Sequence, residues 1–170
     1  MKGCLDEHNR KYEDNNNSID LNDKLIPLSF DAIKLNEGCF VNNVEVVASL
    51  TKILELKMGG LFVFGAPSGA GKTTYLNAAL KNFLQTHPER LVFYISGLTP
   101  KVIEENLKIP AGRLFSDFLP DGSIIVIDQD DEKNSELSGS ITFLLTQFAT
   151  QSRNSRTFHV LIAVSNPARF

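Results

Sequence analysis

Cysteine is scarce in this chain: Cys4 and Cys39 are the only two among 170 residues. Neither has a second cysteine at CxxC spacing or a histidine cluster beside it, which leaves a disulfide framework or a thiolate zinc site without support. A reduced intracellular setting, cytosol or nucleus, fits best. Long apolar runs are also lacking. None approaches the roughly 20 residues that cross a bilayer, and Met1 to Asp20 is polar where a secretory leader would be apolar, so no membrane partner is expected. Nor is there an excess of positive charge. With 17 Lys and Arg against 20 Asp and Glu the net charge is −3, which gives no general attraction for a phosphate backbone, and nucleic acid is not indicated. What remains is ordinary globular usage, 42% hydrophobic and 22% charged, in a length that suits one core.

Apolar residues are unevenly spread along that length. Residues 1–24 are rich in charge and asparagine and have too few apolar side chains to repay the entropy of ordering, so a loose tail is expected ahead of a domain over 25–170. Leu25 to Phe40 carries apolar clusters without periodicity and reads as an irregular lead-in packed on the domain. From Val44 the spacing of Val46, Val47, Leu50, Ile53, Leu54 and Leu56 predicts an amphipathic helix ending around Gly59-Gly60. Leu61 to Phe64 is a short apolar run between glycines, a strand buried on both faces. Leu76, Ala79, Leu80, Phe83 and Leu84 then mark a helix to about Gln85. Leu91 to Ile95, Ser123 to Ile127 and His159 to Val164 read as further strands. Pro100 to Leu107 and Leu137 to Gln151 read as helices, and Ile109 to Gly122 as mostly loop. Strands alternating with helices predict an α/β fold with a mostly parallel sheet between helical layers.

Between the first strand and its helix lies Ala66-Pro67-Ser68-Gly69-Ala70-Gly71-Lys72-Thr73. This is the P-loop pattern, in which glycines let successive backbone N–H groups point at phosphate oxygens and a lysine and a hydroxyl residue follow. Ala66 stands where the strict pattern has glycine. The chemistry assigns the loop amides and the helix N-terminus to the phosphates, Lys72 to the outer phosphates, Thr73 to Mg²⁺ and Thr74 to a further phosphate contact. A magnesium-nucleotide site also needs a carboxylate at the end of a neighbouring strand, and Ile124-Ile125-Val126-Ile127-Asp128 supplies one. Asp128 is therefore the expected metal-shell residue, although a turn aspartate after any strand would look the same. Gln129-Asp130-Asp131-Glu132 could orient or deprotonate a water, or could be a solvated acidic turn.

These stretches resemble the AAA+ ATPases and, in the same broad group, the signal-transducing ATPases with NACHT-type domains. Phe40-Val41-Asn42-Asn43-Val44-Glu45 looks like the segment that precedes the P-loop there and lies against the base. Asp128 to Glu132 is similar to the second motif, and by that likeness Asp131 or Glu132 is the water-activating carboxylate. Gln129 departs from the Asp-Glu of most AAA+ proteins, and Asp130 stands where the signalling ATPases have an apolar residue. Val160 to Pro167 looks like the strand that ends in a polar sensor near the γ-phosphate, with Asn166 in that role; an Asn-Pro turn is the plain alternative. The resemblance covers Phe40 to Pro167. It implies a three-layer P-loop NTPase fold, a fifth strand after Asn166 and a helical lid. The chain stops at Phe170, so the expectation is a sheet truncated after the fourth strand, in a fragment or a reduced protein. Arg153 and Arg156 precede the fourth strand and read as surface charges.

The leading functional expectation is a P-loop ATPase that binds ATP, in preference to GTP, with Mg²⁺, hydrolyses it slowly and controls a protein partner or its own association. A nucleotide-binding module that does not hydrolyse is the second reading, motivated by Gln129. A small-molecule kinase is the third, because Pro67 to Lys72 also looks like the P-loop of guanylate kinases, but no arginine-rich acceptor segment follows the loop.

Overall fold

The structure, a computed structural model, describes residues 25–35, 43–129 and 139–165. The N-terminal stretch 1–24, Phe40 to Asn42, Asp130 to Ser138 and Asn166 to Phe170 lie outside the described residues. The elements run α1 (Val44–Glu55), β1 (Gly60–Gly65), α2 (Lys72–Thr86), β2 (Val92–Ser96), β3 (Ser123–Asp128), α3 (Gly139–Ser155) and β4 (Phe158–Val164). The four strands of the described residues pair in parallel in the order β1-β4-β3-β2, so the last of them in sequence is inserted beside the first.

Side chains alternate across each strand, and the two sets face two different helical layers. Val92, Ile124, Val126, Leu161 and Ala163 pack with Val47, Leu50 and Leu54 of α1 and Leu76, Leu80 and Phe83 of α2. On the other face, Phe93, Ile125, Ile127, Val160 and Ile162 pack with Ile141, Leu144, Leu145 and Phe148 of α3. Helices therefore cover both faces of a parallel sheet, the arrangement expected of strands that are apolar throughout. The central strands β3 and β4 are buried along their length except at Asp128.

Three features differ from the sequence expectation. The first helix stops at Glu55, short of the glycine pair: Leu56 is already extended at ψ 135. The segment after β2 is helical over Pro100–Val102 and then widens to a π-turn over Ile103–Leu107. Its loop is more built than the glycines and prolines suggest, with a 3-10 turn at Phe115–Asp117. Phe115 is buried there, and its N–H donates to Oε1 of Gln151 at 2.6 Å, so a buried amide from α3 satisfies a loop donor. The lead-in is also specific: Leu28 N–H donates to Val92 O at 2.7 Å, and Pro27 bridges Phe93, which covers part of the β2 edge.

The last turn of α3 closes on Arg156, whose N–H donates to Ser152 O at 3.0 Å while its φ is 57. That left-handed position usually holds glycine, because a Cβ is strained there. Arg156→Gly is expected to raise stability by about 1 kcal/mol, measured as a higher denaturant midpoint; a lower midpoint would mean the arginine side chain offsets the strain.

Candidate functional site

The four strands point the same way, so their C-terminal ends share one rim, where α/β sheets bind ligands. A groove of ≈ 420 Å³ opens there, lined by Ser68, Gly69, Gly71, Lys72 and Thr73 on one side and Tyr94, Ser96, Asp128 and Gln129 on the other.

The loop from Ala66 to Gly71 is held at both ends. Ala66 N–H donates to Val164 O at 3.1 Å, extending the β1–β4 ladder, and Ala70 N–H donates to Pro67 O at 3.1 Å in a tight turn. The alanine at the first motif position is therefore accommodated as strand backbone. Gly69 and Gly71 have φ of 78 and 86, and an added Cβ would meet nothing within 4 Å at Gly69 and only the Tyr75 ring, at an ordinary contact distance of 3.7 Å, at Gly71, so backbone conformation and not crowding requires glycine. Gly71 is the N-cap of α2 and offers no side-chain cap, which leaves the first amides of a fifteen-residue helix without that competitor.

The next residues reach across the groove. Lys72 Nζ donates to Ser165 Oγ at 2.9 Å and to Pro67 O at 3.4 Å, tying the start of α2 to the end of β4. Thr73 Oγ1 donates to Asp128 Oδ2 at 2.5 Å, tying it to the end of β3. The same carboxylate oxygen accepts from Tyr94 Oη at 2.9 Å. Burial, and then the charge and hydrogen bond of Asp128, push the Tyr94 phenol well above its ordinary value, so the hydroxyl keeps its proton.

Gln129 follows Asp128 directly and is turned into the protein. It is 2% exposed, its Oε1 accepts from Leu98 N–H at 2.6 Å, and its own N–H donates to Ala163 O at 2.9 Å. Sequence reasoning placed Lys72, Thr73 and Asp128 at one site, and they are at one site here. Ala66 to Gly71 form its loop and Thr74 is in the first turn of α2. Asp130, Asp131, Glu132 and Asn166 lie outside the described residues. Tyr94 and Ser165 were not read from the sequence. An aromatic in a buried strand and a serine in a turn carry no local signal of a site; only the register, which sets Tyr94 against Val126 and Ser96 against Asp128, brings the phenol within reach.

No family model matches this sequence, and none of the curated proteins does. Solved structures do. A structure of the HORMA:CdnC:Trip13 complex of E. coli MS115-1 superposes over 86% of this chain and 65% of its own at 14% identity, with a TM-score of 0.52. Domain III of the replication initiation protein DnaA from Thermotoga maritima does so over 83% and 57% at 17% identity, with a TM-score of 0.51. At these identities the likeness is one of fold, a parallel sheet between helical layers. C. elegans PCH-2 also matches, over 83% of this chain and 42% of its own at 16% identity, with a TM-score of 0.47. This chain spans between about two fifths and two thirds of the length of the solved chains it matches.

Proposed function

We propose that this chain binds Mg-ATP in the groove at the strand ends, hydrolyses it slowly, and uses the bound state to control a protein partner. The observation that carries the reading is the 2.5 Å contact between Thr73 and Asp128 across the groove, with Lys72 one residue away on the same helix start. The amides of Ala66 to Gly71 and the α2 N-terminus would take the phosphates, and Lys72 would exchange its neutral acceptors, Ser165 and Pro67, for a phosphate oxygen. Asp128 and Thr73 are a carboxylate and a hydroxyl, the hard oxygen donors that suit Mg²⁺, and would hold it. Bound there, the ion would offset charge on the phosphates. Asp131 or Glu132 as water activator and Asn166 as γ-phosphate sensor remain part of the proposal by resemblance. The partner is proposed on fold alone; one of the similar solved structures is itself a multi-protein complex.

Calorimetric titration of ATP and GTP with magnesium into the wild type and Lys72→Ala, with phosphate release followed in the same samples, tests this. The expected result is wild-type binding that favours ATP, weakened at least about tenfold by Lys72→Ala, since a charge-assisted contact to phosphate is lost. No wild-type binding would overturn the proposal.

A second reading is favoured by Gln129. Its neutral amide is buried and committed to Leu98 N–H, so no base stands directly after Asp128. The chain would then be a nucleotide-gated module without turnover. Binding with phosphate release no greater than that of Lys72→Ala would select this reading.

A further inference from the structure

We propose that Tyr94 is a positioning residue that sets magnesium affinity by fixing which oxygen of Asp128 faces the protein. The inference rests on the Mg-ATP reading of the groove and adds a residue that neither the loop motif nor the strand-end aspartate identifies.

Tyr94 pairs with Val126 on the neighbouring strand, and Asp128 is two residues further along on the same face of the sheet. Such diagonal cross-strand neighbours are too far apart for short side chains and within reach of a long aromatic one. The ring packs beside the cluster under α1 and α2, so the hydroxyl is delivered by a body with little rotational freedom. It meets Oδ2 at 2.9 Å, while Thr73 meets the same atom at 2.5 Å from α2.

Two O–H donors on one oxygen have a chemical consequence. Oδ2 becomes the protein-bound oxygen, and Oδ1, which has no partner among the described residues, is left to accept from a cation's water. Thr73 is compatible with both tasks, because donating its proton to Asp128 leaves its lone pairs for a cation. Tyr94 has only the holding task. Partners of this kind, which orient a metal's carboxylate without touching the metal, change metal affinity by about tenfold or more when removed.

Tyr94→Phe deletes the hydroxyl and keeps the ring that lines the groove. ATP titrations of wild type and Tyr94→Phe, run across a magnesium series and in chelator, should show the magnesium midpoint for enhanced ATP binding raised about tenfold. Affinity should be unchanged in chelator and recovered at excess magnesium. That recovery separates positioning from a merely structural role, which would weaken binding at every magnesium concentration. An unchanged midpoint, or equal loss with and without magnesium, would overturn the assignment of Tyr94 alone. A wild type that binds no ATP would overturn the Mg-ATP reading and this inference with it.

Discussion

Gly59→Ala should destabilise the protein by about 3 kcal/mol or more, because the added methyl group has no room. Gly59 lies immediately before β1, and a Cβ built there would stand 1.6 Å from Ser152 O, 2.6 Å from Ser152 C and 3.0 Å from Arg156 Cα. All three are main-chain atoms, so no rotamer change relieves the overlap; the last turn of α3 must move away from the start of β1. Ser152 is fully buried, and its carbonyl already accepts the N–H of Arg156 that closes the helix. Displacing it would weaken that closure and loosen α3 from the sheet together. Urea unfolding measures the effect, with Gly139→Ala as control, since open space surrounds Gly139. A Gly59→Ala midpoint equal to the control would mean that the two backbones are not this close.

The second large effect is a loss of stability in acid that traces to one histidine. His159, on β4, is 2% exposed, and its Nε2 has no hydrogen-bond partner among the described residues. The ring meets Phe62 edge-on at 6.0 Å. Burial, and then the positive charge of Arg90, lower its pKa from 6.5 to about 4. Between those values the unfolded chain binds a proton that the folded chain does not, so stability rises with pH through this window. Stability is therefore fully present above 6.5 and lost as pH falls towards about 4, with no further loss from this group below that. The loss amounts to about 3 kcal/mol, at roughly 1.4 kcal/mol for each pH unit of the shift. Carboxylates add their own acid dependence at the lower end, so the decisive quantity is the difference between wild type and His159→Phe. The variant's unfolding free energy should be flatter over the window. Parallel curves would show that the folded protein protonates His159 without penalty.

Much of this architecture can be read from local pattern. Ile124 to Ile127 and Val160 to Val164 are apolar on every residue because helices cover both faces of the sheet there. Leu61 to Phe64, expected from the same signature to be buried on both faces, is instead a part-buried edge strand of the described sheet, with Val63 43% exposed. That Lys72, Thr73 and Asp128 come together at the strand ends was legible because a glycine loop between strand and helix and a strand-end carboxylate are each written in a few adjacent residues. Properties set by distant pairing left no such trace. Nothing near Gly59 announces that Ser152 lies against it, and nothing near Arg156 marks a left-handed helix end where glycine is usual. Gln129 could be seen as an odd neighbour for Asp128, but its burial against Leu98 depends on where the chain turns after β2. The lead-in at Leu28 lacked periodicity because it is held by one main-chain hydrogen bond and a bridge to an edge, not by a repeating face.

The strand order also bears on how the protein comes to exist. Among the described residues β1, which leads into the loop from Ala66 to Gly71, pairs only with β4, with Gly60 set against His159 at the far end of the described chain. Closing so long a loop is entropically costly and slow compared with forming the helices. During synthesis the carbonyl of Val164 that receives Ala66, and the serine that receives Lys72, are made well after the loop itself. If the groove binds Mg-ATP as proposed, capture would wait on β4, and a bound nucleotide would favour molecules in which β4 has docked over those in which it has not.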